Sequence, residues 1–329
     1  METGMETGTP QQTIAVFGEA LVDDFFNEQI VGGAPFNVAR NLAAFGVATL
    51  MLTRIGDDNN GALMRAEFER FGMSSAGLQI DPTKATGRVV VERNEQGHRF
   101  IILPDQAYDY VEAAPALAAL ADAKPAVIYF GTLAQRHARS RAALRAMLQA
   151  SDITRYLDLN VREDQVTERC AFESLHLADI VKVNEDELKD LFSWYTHTKP
   201  GTKAIDSPEM VEACQALMRI FSLKGLIVTL GERGALYFDE DGTVTANQEC
   251  HAPARIVDTV GAGDAFSAVF LFGQSQGWPL PLVLARANAF AGAICGISGA
   301  VPADIAFYQP WIACWRSGGV LPTKAGAVV

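Results

Sequence analysis

The chain has 329 residues, 49% of them apolar, and carries a net charge of −12. This is enough apolar material for one large core with a small appendage. The negative balance speaks against binding nucleic acid or a membrane surface, since both rely on basic patches. Five scattered cysteines (Cys170, Cys214, Cys250, Cys295 and Cys314) make an odd count with no CxxC, so neither a disulfide framework nor a zinc site is indicated. Reduced thiols fit a cytoplasmic location. No apolar run approaches the ~20 residues of a membrane span. The opening METGMETGTPQQ lacks the basic start and apolar centre of a signal peptide and reads as a disordered leader over residues 1–12.

Order is expected from TIAVFG, a buried strand, followed by a helix over GAPFNVARNLAAFG with Val38, Leu42 and Phe45 at helical spacing. ATLMLTRIG reads as a second strand and NGALMRAEFERFG as a second amphipathic helix. This β-α-β-α rhythm predicts a mostly parallel sheet covered by helices. The rhythm breaks near residue 78, where GLQI and the period-two run TGRVVVERNEQGHRFIIL predict a hairpin around NEQGH. With the extended ALVDDFFNEQIVGG, these pieces are expected to form a small separate sheet, a candidate lid. Strands follow at AVIYFG, RYLDLN, DIVKVN and GLIVTLG, with helices over ARSRAALRAMLQA and from Glu185. SWYTHTKPGTKAIDSPEM reads as a polar loop, and GALYFDEDGTVTANQ as a second hairpin turning at Asp241-Gly242. Two helices follow, from about Gly263 and over LPLVLARANAFAGAICGI. The expected division is an α/β core over 13–19, 35–77 and 108–318, with the lid over 20–34 and 78–107.

DTVGAGDAF is the stretch richest in chemistry. Phe266, Val269, Phe270 and Phe272 are spaced for a helix starting near Gly263. A helix start presents unpaired N–H groups and the positive end of the peptide dipoles, and glycines let a ligand approach the backbone closely. Gly261, Ala262 and Gly263 therefore form a candidate anion site. Asp264, in the first turn, is expected to be stabilised as an anion and to be a weak base. That suits phosphoryl transfer, where positioning and charge neutralisation do most of the work. The alternative is a plain loop with an ordinary first-turn acid.

DTVGAGDAF resembles the C-terminal signature of the ribokinase-like (PfkB) sugar kinases, and VGGAPFNVARNLAAFG resembles their N-terminal one. The resemblance runs from about Thr13 to Ala300. It implies a ribokinase-like three-layer α/β/α fold with a mostly parallel central sheet and a small β-sheet lid. It also implies ATP as phosphoryl donor, a sugar as acceptor, Asp264 as base, and the Gly261–Gly263 amides as anion hole. Asp23 matches the sugar-binding aspartate, with neighbouring Asp24 as the competing choice. Gly32, Gly33 and Asn37 match the substrate side, the Asn37 amide being able to donate and accept. In KVNEDEL, Asn184 and Glu187 satisfy a capping box and also match the motif whose Asn lies near the phosphates and whose Glu orients Mg²⁺ through water. Asp158, Asn160 and Arg162 in DLNVRE are expected at the crevice beyond the strand ends, with Arg162 as phosphate clamp. Thr229, Gly231 and Gly234 match the nucleotide wall, and Asn288 a position close to adenine. K⁺ near Asp258 occurs in some relatives.

GEALVDDF and GGAPFNVA look most like the fructokinases of this family, which makes fructose the expected sugar. Phe36 stands where a small residue is common, and a bulky ring there would trim the pocket. 2-Keto-3-deoxygluconate, ribose and nucleosides are the alternatives, and a non-catalytic sugar- or nucleotide-binding regulator is the reading from another class. No GxxxxGK[ST], no GxGxxG after the first strand and no HExxH is present. A lone lid would leave an apolar sheet uncovered, so pairing of two lids in a homodimer is expected.

Overall fold

In chain order the elements begin with β1 (Ile14–Phe17), β2 (Leu21–Phe25), β3 (Glu28–Gly32), α1 (Ala34–Ala44), β4 (Thr49–Gly56), α2 (Asn59–Arg70) and β5 (Leu78–Asp81). They continue with β6 (Gly87–Asn94), β7 (Gly97–Ile102), α3 (Ala113–Ala123), β8 (Val127–Phe130), α4 (Ala138–Ala150), β9 (Thr154–Asp158) and α5 (Glu168–Leu175). The last are β10 (Ile180–Asn184), α6 (Glu185–Tyr195), α7 (Pro208–Phe221), β11 (Gly225–Thr229), β12 (Ala235–Asp239), β13 (Val244–Asn247), α8 (Ala262–Ser275), α9 (Leu280–Ile294) and α10 (Gln309–Arg316). The computed structural model describes residues 12–25, 28–94, 97–162, 164–196, 205, 207–249, 251, 253 and 255–322. The expected leader, apart from Gln12, lies outside these residues, as does most of the polar loop after α6.

The nine-stranded sheet has the order β13-β12-β11-β10-β9-β8-β1-β4-β5. All neighbours from β5 to β11 pair in parallel, and β12 and β13 are antiparallel additions. Side-chain alternation sorts each strand between two cores. Ile14 and Val16 of β1 pack with α1, α8, α9 and α10, whereas Ala15 and Phe17 pack with α3, α4, α6 and α7. Both sheet faces are thus covered, as a parallel sheet requires. Chain order reverses around β1, which lies between β4 and β8. The crevice beyond the carboxyl ends of these strands is where ligands bind in open α/β sheets.

A second sheet of four strands has the order β3-β2-β6-β7. It is mixed, because β2 and β6 pair in parallel while each of the two hairpins is antiparallel. The ribokinase-like architecture expected from the sequence is therefore present. One boundary differs: GLQI, assigned to the lid, forms β5 and extends the large sheet beside β4. Its short run carries no signal of which sheet it joins. The loop assigned to SWYTHTKPGTKAIDSPEM is also shorter than expected, since Ser193–Tyr195 finish α6 and Pro208 opens α7. Among the described residues no helix is long and apolar enough to cross a membrane.

Candidate functional site

The N-terminus of α8 has no side-chain cap, and its N-cap residue is Gly261 with φ of 80°. A β-carbon at Gly261 would lie 2.4 Å from Ala300 Cα, so both backbone and packing exclude a side chain. The main-chain nitrogens of Gly261, Gly263 and Asp264 have no acceptor among the described residues, while that of Ala262 reaches Thr259 O at 3.3 Å. Of the three amides expected to face an anion, Ala262 is thus partly engaged and the two glycine amides are free. By contrast, Asp58, Thr167 and Asn184 cap α2, α5 and α6 with their side chains.

Asp264 is 9% exposed, and Asn37 Nδ2 donates to its Oδ2 at 2.7 Å. This bond joins the two sequence signatures. Asn37 Oδ1 in turn accepts from Arg40 Nη2 at 2.7 Å, and Arg40 Nη1 donates to Glu67 Oε2 at 2.7 Å. Each end of the Asn37 amide thus has one partner inside the protein, which leaves one N–H and one lone pair for a ligand. Burial pushes the Asp264 carboxyl up to about 6, against the downward pull of the Asn37 bond, with Asp158 adding to the rise and Lys182 and Arg162 opposing it. The weak base expected from the helix start is thus a stronger one, because loss of solvent outweighs the helix end.

Beneath this helix end lies a pair that the sequence reading did not single out. Register sets Lys182 of β10 beside Asp158 of β9. Lys182 Nζ donates to Asp158 Oδ2 at 2.7 Å, and the same oxygen accepts from Ser267 Oγ at 3.0 Å and Tyr129 Oη at 3.2 Å. Asp158, expected to point into the open crevice, is 2% exposed and lies inside this cluster. The available signal was a lysine in the middle of the buried strand DIVKVN.

Asp23 and Asp24 point to opposite faces of β2. Arg88 Nε donates to Asp24 Oδ2 at 2.7 Å, so of the two carboxylates Asp24 is the one held in an ion pair with Arg88. Asp23 Oδ2 lies where a β-carbon on Gly32 would be, 2.8 Å away, and Gly33, with φ of 104°, sits over Glu19 O at 2.6 Å by the same measure. Burial pushes Asp23 up to about 6, opposed by Arg162. Glu19, whose role the sequence left unassigned, is 4% exposed with Oε2 unpartnered among the described residues. Burial pushes it up to about 7, while its own backbone hydrogen bond and Arg162 pull it down and Asp264 adds to the rise. Arg162 is exposed, with no ion pair among the described residues, and its charge reaches Glu19, Asp23 and Asp264. Asn160 is half-buried with φ of 42°. Phe36 does not trim a pocket: it is fully buried and stacks on Phe68 at 5.4 Å in the core between α1 and α2.

Asn184 and Glu187 form a complete capping box, and Glu187 Oε1 also accepts from Val161 N at 2.8 Å. Thr229 is the register partner of Asn184 on the next strand. Gly231 follows it at the turn into β12. Asn288 Nδ2 donates to Asn247 Oδ1 at 2.6 Å, and a β-carbon at Gly234 would meet Asn247 O. Gly234 and Asn288 are thus gathered around Asn247, and the amide nitrogen of Asn288 ties α9 to β13. Among the described residues no group of three or more His, Cys, Asp or Glu is placed to hold a metal.

Comparison with known proteins places the chain in a family. Residues 14–305 match the family described as pfkB family carbohydrate kinase. Fructokinase from Escherichia coli is 30% identical over 278 residues, covering 79% of this chain and 84% of that protein. The structure of a Vibrio cholerae O395 fructokinase double mutant, in a form with bound fructose, ADP and potassium ion, superposes with a TM-score of 0.72 at 24% identity, covering 91% of this chain and 98% of that one. The structure of 2-dehydro-3-deoxygluconokinase from Thermotoga maritima gives 0.73 at 16% identity, covering 92% and 99%. With both signatures joined at Asp264 and a match spanning both sheets, the chain belongs to the pfkB family of carbohydrate kinases and is a sugar phosphotransferase.

Proposed function

We propose that the chain transfers the γ-phosphoryl group of ATP to a hydroxyl of fructose. The observation that carries this reading is the buried Asp264, held by Asn37 beside the uncapped start of α8. The sugar hydroxyl loses its proton to Asp264 as its oxygen bonds to the γ-phosphorus. The bond from that phosphorus to the bridging oxygen breaks, and ADP leaves with the electron pair. A base near 6 accepts this proton readily at neutral pH. The free amides of Gly261 and Gly263 receive charge on the phosphoryl group. Arg162 clamps phosphate, and Asp23, above Gly32 and Gly33, accepts hydrogen bonds from sugar hydroxyls.

Asn184, Thr229, Gly231 and Gly234 form the nucleotide wall, with Asn288 behind it. Mg²⁺ suits this site because it keeps several waters and needs few protein ligands. Both Glu187 oxygens already accept backbone N–H groups, so Glu187 would hold the ion through water rather than directly. When bound, Mg²⁺ neutralises phosphate charge. K⁺ near Asp258 is a further assignment, tested by replacing potassium with sodium salts. The four-stranded sheet is assigned as sugar cover and, through open edges β3 and β7, as the contact with a second copy. Light scattering that reports only monomer would remove the dimer.

The test is a coupled assay with ATP, Mg²⁺ and a panel of fructose, 2-keto-3-deoxygluconate, ribose and nucleosides. Fructose should be the best acceptor, and Asp264→Asn should abolish turnover while ADP still binds. A better rate on another acceptor moves the substrate, and no turnover on any of them favours a sugar- or nucleotide-binding regulator.

A further inference from the structure

The ion pair under α8 is hard to understand as a tether alone. Two buried charges are expensive to desolvate, and a well-packed apolar pair often serves stability as well or better. The ammonium of Lys182 also sits at the positive end of a helix, where a cation is unfavourable until an anion arrives. A β-carbon on Gly263 would lie 3.4 Å from Lys182 Nζ, so the ammonium lies directly against the free-amide residue of the anion site. Lys182 is 5% exposed, and its one hydrogen-bond partner among the described residues is Asp158. An ammonium has three donors, so two remain. Strand alternation gives the placement: Val181 and Val183 face the core with α4 to α7, which turns Lys182 toward α8. Asp158, accepting from Lys182, Ser267 and Tyr129 on one oxygen, fixes the ammonium rather than leaving it to swing.

We propose that Lys182 is a catalytic residue of the phosphoryl transfer: held by Asp158, it adds its spare N–H groups to the amides of α8 and takes up charge on the phosphoryl group in flight. This rests on the kinase reading above. It also explains how a chain of net charge −12, with Glu19, Asp23, Asp158 and Asp264 around the site, accommodates a triphosphate. The cation is placed in the interior, where Coulomb attraction is little screened.

The experiment compares wild type with Lys182→Met and with Lys182→Met/Asp158→Asn, the second leaving no unpaired buried charge should the first fail to fold. Expected is a fall in kcat of about 100-fold in the double variant, the scale of one lost oxyanion donor. Sugar KM and ADP Kd should stay within about threefold, because ADP lacks the group that Lys182 serves. In the single variant the acid limb of kcat should also move to higher pH, since Lys182 is one of the groups holding Asp264 down. A double variant that melts like wild type and keeps its kcat overturns the inference. So does a parallel loss of kcat, ADP affinity and melting temperature, the mark of a structural tie. A wild type inactive on every sugar would remove the kinase reading and this inference with it, whereas an active wild type beside an equally active double variant removes the inference alone.

Discussion

Helices α6 and α8 both start beyond the carboxyl ends of sheet strands, and both bring unpaired N–H groups to the same crevice. α6 satisfies them internally. Asn184 Oδ1 accepts from the nitrogens of Asp186 and Glu187, and Glu187 returns a carboxylate oxygen to Asn184 N. α8 has an acid in the same third position, Asp264, but that side chain turns to Asn37 and a glycine stands at the cap. One helix start is closed by its own side chains, and the other is left for an acceptor from outside. The difference is why α8, and not α6, is proposed as the phosphate site.

Among variants that keep Asp264, the largest effect should come from forcing a side chain onto α8. Gly261→Ala meets Ala300 and a positive φ, so kcat should fall at least ~100-fold and the melting temperature should drop. An active, stable variant would mean that the open helix start is incidental. Next, Asn37→Ala removes the donor that turns Asp264 away from its own helix. We expect kcat to fall ~10- to 100-fold, with its acid limb moved to higher pH because that hydrogen bond holds the carboxyl down. An unmoved limb would separate Asn37 from the base.

The wild-type pH profile sharpens the comparison further. Activity should be lost as pH falls through about 6, where Asp264 takes up its proton. Stability runs the other way. The folded chain holds this proton more tightly than the unfolded one between 3.8 and about 6, so the Asp264 contribution to stability falls as pH rises through that window. Asp264→Asn should therefore melt above wild type at pH 8, with the gap closing toward pH 4. The smallest effect belongs to an ordinary cap away from the site: Thr167→Ala on α5 should cost about 1 kcal/mol in denaturant unfolding and leave kcat alone. A loss of activity there would show that capped helix starts also matter to catalysis.

The family and its architecture were legible because Gly261–Asp264 and Gly32–Asn37 are local strings, and because strand and helix periods are local too. What escaped the sequence depends on burial and on partners far along the chain. The base strength of Asp264 follows from lost solvent, which no string reports. That Asn37 bonds to both Arg40 and Asp264 follows from contacts that no string carries. The Lys182–Asp158 pair requires the β9–β10 register. Phe36 was expected to trim a pocket because it stands where a small residue is common in the family, yet helical geometry turns it into the core. β5 was misplaced because four residues carry too little pattern to choose between two sheets.

Gly33 is the sole residue between β3 and α1, and Asn37 lies one helical turn beyond it. The strand belonging to the four-stranded sheet and the helix that steadies Asp264 therefore share a pivot. If that sheet tilts down over a bound sugar, the same rotation passes through the pivot to Asn37 and the carboxylate it holds. Enclosure of the acceptor alcohol and alignment of its deprotonating group then become one mechanical event, and water, which cannot draw the cover shut, would meet a base not yet aimed at it.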